Sequence, residues 1–124
     1  MHKNLVEDRQ IQVQINADPD TITLLWDQLA YEDELRGCVQ QSTTTEPDRM
    51  GATKNLIVAL GYSAKRIVQA ATALDGVLKA CLKRKHFVIT VTKTKEDRSV
   101  SIDGYGELEK LLPTIENFIK NIEN

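Results

Sequence analysis

Residues 46–66 read EPDRMGATKNLIVALGYSAKR. A glycine, a lysine and an apolar run follow one another, so the stretch can be a phosphate-cradling loop or the entrance to a buried element. A phosphate loop needs a strand, GxxxxGK[ST] and then a helix N-terminus, so that free N–H groups and the lysine meet the anion. Here Gly51 stands alone, Lys54 comes three residues later, and no serine or threonine follows that lysine. The motif fails. Ala52 to Leu60 is apolar on nearly all sides, and a run this short does not reveal its period. It reads as a short buried helix, with a buried strand as the alternative. Thr43 to Gly51, just before it, reads as a polar loop holding Pro47.

Working outward, Gly61 stops the apolar run and Ser63 can cap a helix that continues to about Arg84. Its stripe is Ile67, Ala71, Leu74, Leu78 and Cys81, widened by Val68 and Leu82. Such a helix is on the order of 33 Å long. Ala70, Ala73, Gly76 and Ala80 form a small-residue ridge on it that would let another helix approach closely. Upstream, Ile11, Val13 and Ile15 alternate with glutamines, a strand with one wet face. Asp18-Pro19-Asp20 reads as N-cap, proline at N1 and an acid in the first turn. Ile22, Leu25, Trp26 and Leu29 then give one buried face. That helix frays near Tyr31 into an acidic turn closing at Gly37, and a second strand runs from Cys38 to about Thr43.

Downstream, Phe87, Ile89 and Val91 alternate with Val88, Thr90 and Thr92. Lys93 to Asp97 is a polar turn, and Arg98 to Ile102 returns as a hairpin with Val100 and Ile102 inward. Leu108, Leu111, Leu112, Ile115, Ile119 and Ile122 keep helical register, with a kink expected at Pro113. The order β-α-β-α-α-β-β-α gives an α+β two-layer sandwich: a roughly four-stranded sheet with helices on one face. The other sheet face would carry Gln12, Gln14, Thr90, Thr92, Ser99 and Ser101, all uncharged. Residues 1–9 read as a flexible N-terminus and 10–124 as a single domain.

The chain has 124 residues, 41% hydrophobic and 27% charged, with a formal net charge of −2. That balance gives no bulk attraction to nucleic acid or an anionic membrane. The longest uncharged apolar run, Leu56 to Leu60, is far below the ~20 residues of a membrane span, and the N-terminus has no apolar signal core. Cys38 and Cys81 have no CxxC partner, which points to a cytoplasmic setting with reduced thiols. His2 and His86 are isolated, and no HExxH, EF-hand or cysteine cluster is present, so neither metal nor cofactor is expected. A triad would have to use His86 with Ser99, Ser101 or Cys81, and no nucleophile-elbow or cysteine-protease signature supports it. Asp18 with Asp20, and Glu32 with Glu34, fit capping and solvated-turn roles better than acid/base work. A nucleic-acid-binding reading rests on Lys79, Lys83, Arg84, Lys85, Lys93, Lys95 and Arg98. They form one patch only if the hairpin turn lies near the end of the long helix, and they lack interleaved aromatics.

Several fragments, in this order and spacing, resemble the bacterial effector-associated constant component family, type one. They are Trp26 followed by Glu32-Asp33-Glu34-Leu35-Arg36-Gly37, the segment with Pro47 leading to Met50-Gly51, and Val58-Ala59-Leu60-Gly61. They continue through the long helix to its basic end and VITVTKTKEDRSVSID, Val88 to Asp103. The chain departs from that family at Tyr62-Ser63, where small glycine-rich residues are expected, and at Pro113. The resemblance implies a small non-enzymatic accessory protein of a bacterial immunity or conflict system, partnered with an effector protease or a nucleotide-dependent switch protein. It brings no catalytic residues.

The leading reading is therefore an adaptor acting by protein–protein contact, with nucleic-acid binding and an uncharacterised hydrolase as alternatives. Candidate contact residues are Glu32, Asp33, Glu34 and Arg36 in the acidic turn, Asp48 and Arg49 in the loop, and Lys93, Lys95 and Arg98 at the hairpin tip. The small-residue ridge and the polar sheet face are the two surfaces a homodimer would use.

Overall fold

The computed structural model describes residues 9–48, 51–61 and 63–120, with side chains over 11–41, 54–61 and 63–120. In chain order these form β1 (Arg9–Ala17), α1 (Pro19–Leu29), β2 (Val39–Asp48), β3 (Gly51–Gly61), α2 (Ala64–Cys81), β4 (Phe87–Lys93), β5 (Arg98–Asp103) and α3 (Leu111–Ile119). Short 3-10 turns at Asp33–Leu35, Thr94–Glu96 and Tyr105–Lys110 join them. The strands make one antiparallel sheet in the order β2-β3-β1-β4-β5. The α+β sandwich expected from the sequence is the architecture observed.

Residues 52–60 are not a helix. They belong to β3, which pairs with β2 on one side and β1 on the other, so the sheet has five strands rather than four. Leu56, Val58 and Leu60 point into the core, while Ile57 and Ala59 lie on the opposite face and are half-buried. Apolar residues on both faces hide the period-2 signal. The stretch read as a polar loop is strand too. β2 runs on to Asp48 through a register shift between Gln41 and Thr45, and Pro47 sits on an edge strand, where a missing N–H breaks no inner ladder. Glu46, Pro47 and Asp48 pair only with Thr53, Ala52 and Gly51, a two-stranded ribbon reaching past the last β1 pair, Ala17 with Lys54.

Register explains the two faces. Val39, Val58, Val13, Val91 and Val100 form one row across the sheet, and Leu56, Ile15, Ile89 and Ile102 form the next. Except for Val39 and Val100 these side chains are essentially fully buried beneath the helices. On the other face Gln40, Ile57, Gln14, Thr90 and Ser101 make one row, and Ala59, Gln12, Thr92 and Ser99 the next. This face carries the expected amides and hydroxyls, with Gln14 donating to Asn16 at 3.1 Å and the Thr92 and Ser99 hydroxyls 2.9 Å apart.

Above the buried face α1 packs on β3 and β2, α2 lies between α1 and α3, and α3 packs on β4. Helix α2 is capped by Ser63, whose Oγ accepts from the Arg66 N–H at 3.3 Å, and it ends at Cys81, short of Arg84. Arg84 instead takes a left-handed turn (φ 63°) that redirects the chain into β4. The ridge of Ala73, Gly76 and Ala80 meets no helix, since a side chain added at Gly76 would touch nothing within 4 Å. Trp26, placed in the buried stripe by its spacing, is 38% exposed at the stripe's margin. Pro113 falls in the first turn of α3, where its missing N–H leaves no helical bond unmade. The preceding segment is 3-10, so the helix restarts instead of bending. Ile122 lies outside the described residues.

Asp18 caps α1 with both oxygens. One carboxylate oxygen accepts from the Thr21 N–H at 3.1 Å and the other from the Thr21 hydroxyl at 2.6 Å. That hydroxyl bond holds the carboxyl below its usual range. Asp18→Ala is expected to lower unfolding free energy by about 1 kcal/mol in urea titrations. Because the folded carboxyl titrates below the unfolded one, the cap's contribution is complete above the unfolded value and is lost as pH falls through the folded value. The wild-type advantage over Asp18→Ala should therefore fade in acid.

Candidate partner-binding site

Helix α1 leaves an acidic segment between its last turn and β2, and the backbone holds that segment tightly. The N–H groups of Tyr31, Glu32, Leu35, Arg36 and Cys38 each donate to the carbonyl three residues earlier, at 2.9–3.2 Å. Leu35, 1% exposed, plugs the turn into the core. Gly37 takes φ +78°, a conformation that strains any L side chain. Charge is thus presented from an ordered backbone. Arg36 and Asp33 pair at 2.8 Å, but with side chains 79% and 86% exposed the pair contributes at most about 1 kcal/mol. Glu32 and Glu34 carry no ion pair among the described residues.

A cleft opens on each side of this turn. Toward α1, Trp26, Leu29, Ala30, Leu35, Gly37 and Val39 line a mainly apolar hollow of about 220 Å³. Toward α2, Asp33, Glu34, Arg36, Cys38, Gly61 and Arg66 line a polar hollow of about 610 Å³. Arg36 borders both. The carboxylates are legible in the sequence and the walls are not: Trp26 stands outside the core its spacing implies, and Cys38 in the turn, Gly61 of β3 and Arg66 of α2 are brought together only by the fold.

The other candidate residues lie elsewhere. Lys93, expected with Lys95 and Arg98 as a contact residue at the hairpin tip, is 5% exposed. It occupies the core-side row of Leu60, Ile11 and Arg98, and its Nζ is fixed 2.9 Å from Glu96. That hydrogen bond pulls the Glu96 carboxyl down. Arg98 reaches Glu96 at 3.6 Å and lies 5.5 Å from the centre of the Phe118 ring. Lys95 is exposed and carries no ion pair among the described residues. Asp48 stands at the tip of the β2–β3 ribbon with its side chain outside the described residues, as is all of Arg49. Since Cys38 neighbours Ala59 and the row continues to Thr92 and Ser99, the acidic turn and the β4–β5 turn share one end of the sheet. They sit at opposite edges, four strand spacings or roughly 19 Å apart. The ribbon tip is at the other end.

The same topology divides the basic residues. Lys83, Arg84 and Lys85 precede β4, and Lys95 and Arg98 follow it, so a seven-residue strand of roughly 20 Å separates the groups. Lys79 is paired with Asp75 at 3.1 Å. Continuity of the basic patch required the hairpin turn to lie at the end of α2, and it does not. His86 is exposed, and burial pushes the Cys81 thiol up, away from the reactive thiolate. Among the described residues no group of His, Cys, Asp and Glu is placed to hold a metal ion, and no helix is long and apolar enough to cross a membrane.

These features define a small α+β sandwich whose distinctive surface is a charged turn between two clefts. The chain belongs to the Effector Associated Constant Component 1 family, whose model matches residues 14–118. No curated protein matches it. Among solved structures it is similar to a phage SAM lyase in complex with S-methyl-5'-thioadenosine, at 11% identity and a TM-score of 0.41, covering 77% of this chain and 91% of that one.

Proposed function

We propose that this protein is a non-enzymatic adaptor of a bacterial conflict or immunity system, acting in the cytoplasm by binding an effector protein through the acidic turn. The observation that carries this reading is the turn itself: three carboxylates against one guanidinium on a hydrogen-bonded backbone, with the half-exposed Trp26 in the adjoining cleft. An exposed tryptophan beside a small apolar hollow supplies a contact anchor, and the surrounding charge selects a basic partner segment and speeds encounter. The family's association with effectors supports the same reading. In the family's setting the partner is a protease or a nucleotide-dependent switch protein.

The test is co-purification of the tagged chain with the proteins encoded beside it. Glu32→Lys, Asp33→Lys and Glu34→Lys combined are expected to reduce partner recovery about tenfold or more at low salt. The far-ultraviolet spectrum and the urea midpoint should change little, because all three side chains lie outside the core. Trp26→Ala is expected to act in the same direction. Undiminished recovery by the charge-reversed protein would remove this surface.

A further inference from the structure

The two edges of the sheet are built differently. β2 carries a register shift, a proline and the charged residues Glu46 and Asp48, the usual devices that discourage strand addition. β5 has neither a register shift nor a proline. Its sequence RSVSID holds an unbroken register with β4 from Arg98 to Asp103, and its only charges stand at its two ends. The helix layer covers Ile102 of this strand but stops short of Val100. Val100 lies on the helix side of the sheet in the row of Val13 and Val91, which are fully buried, yet it is 38% exposed. Between it and α3 runs an open groove of about 840 Å³, lined by Arg98, Val100, Pro113, Asn117 and Phe118.

The geometry points to a second copy of this chain as the occupant. The two β5 strands pair antiparallel about a two-fold axis at Val100 and join two sheets into one of ten strands. Asp103 donates its N–H to the Glu107 carboxylate at 3.5 Å, on the open side of the strand. Backbone groups alternate sides along a strand, so Ser99 and Ser101 also direct theirs to the open edge. A two-fold axis normal to the sheet keeps each face on its own side. Ser99 of one copy then exchanges both main-chain hydrogen bonds with Ser101 of the other, and the two Val100 side chains meet in the close, non-hydrogen-bonded position. Within the paired stretch Arg98 to Ile102 no like charges are set opposite one another; beyond it Asp103 of each copy falls opposite Asp97 of the other, in the turn outside the strand. The same axis sets the two α3 helices antiparallel, so that the Glu109 and Lys110 end of one lies toward the Glu116 and Lys120 end of the other, each end carrying one acid and one base. The acidic turns, near the far edges, would be separated by about nine strand spacings, roughly 43 Å. That display suits a bivalent partner.

Sedimentation equilibrium of the full chain at micromolar concentration is expected to give about 28 kDa, twice the 14.0 kDa chain mass. Val100→Lys, which sets two ammonium groups against each other at the axis, should weaken dimerisation about tenfold or more. Val100→Cys should cross-link to a covalent dimer on mild oxidation, whereas the wild type with Cys38 and Cys81 should not. A wild-type protein sedimenting at 14.0 kDa overturns the proposal. So does a dimer undisturbed by Val100→Lys. Should Val100→Lys fail to fold, failure of Val100→Cys to cross-link overturns it alone.

Discussion

Leu56→Ala is expected to lose about 2–5 kcal/mol of unfolding free energy, while Ile57→Ala, one residue along, loses no more than about 1 kcal/mol. Leu56 is fully buried between Ile15 of β1 and the helix layer, so truncation leaves a cavity that close-packed neighbours fill only in part. Ile57 lies on the open face between Gln14 and Gln40, and its loss removes partly hydrated surface. On a helix buried on nearly all sides, both substitutions would be expensive. Urea unfolding of the two variants therefore discriminates between the readings of this stretch: similar losses at both positions would overturn the strand assignment.

That pair of residues also shows why the fold was legible only in part. Strands β1 and β4 are half-wet, and their alternation of glutamine or threonine with isoleucine or valine fixes both period and inward face. β3 is a central strand whose outward positions are Asn55, Ile57 and Ala59, and the last two mimic a helix face. Leu56 and Leu60, four apart, satisfy the helical template as well as the extended one. What decides is the pairing of β3 on both sides, a long-range property that no local window contains. The β2 ribbon was lost for the opposite reason. Serine, threonines, a glutamate and a proline resemble a loop, although threonine suits strands and an edge strand tolerates the proline.

The candidate site divides along similar lines. The acidic turn was visible because three successive carboxylates at the end of a helix oppose its dipole and terminate it. Lys93 was misplaced because charge suggests exposure. Strand alternation from Phe87 through Ile89 and Val91 already assigns position 93 to the buried side, and the long aliphatic stem of lysine lets it occupy that row while its ammonium reaches Glu96. The clefts were not legible, since Trp26, Arg36 and Arg66 lie on separate elements whose approach depends on how α1 and α2 cross the sheet.

Phe118→Ala is expected to be the most damaging single truncation outside the sheet, at about 3–5 kcal/mol. The helical stripe read from the sequence ran through Ile115 and Ile119 and passed over Phe118, yet its ring is 1% exposed and among the largest fully buried side chains. Helix α3 is only nine residues long, too short to persist in water by its own propensity, so it depends on what it buries. Leu111, Ile115 and Phe118 are that anchor, and Phe118 also supplies the ring beneath Arg98. Its removal should lower the melting temperature by roughly 10–20 °C for a chain of this size. Phe118→Leu, which keeps most of the apolar volume, should recover the greater part. Leu56 and Phe118 lie on β3 and α3, so their losses should add to within about 0.5 kcal/mol. Their sum approaches the whole stability of a typical domain, and the double variant is expected to be unfolded or nearly so at 25 °C. A well-folded double variant, judged by a cooperative urea transition, would mean that α3 docks independently of the sheet core and that the sandwich is not a single cooperative unit.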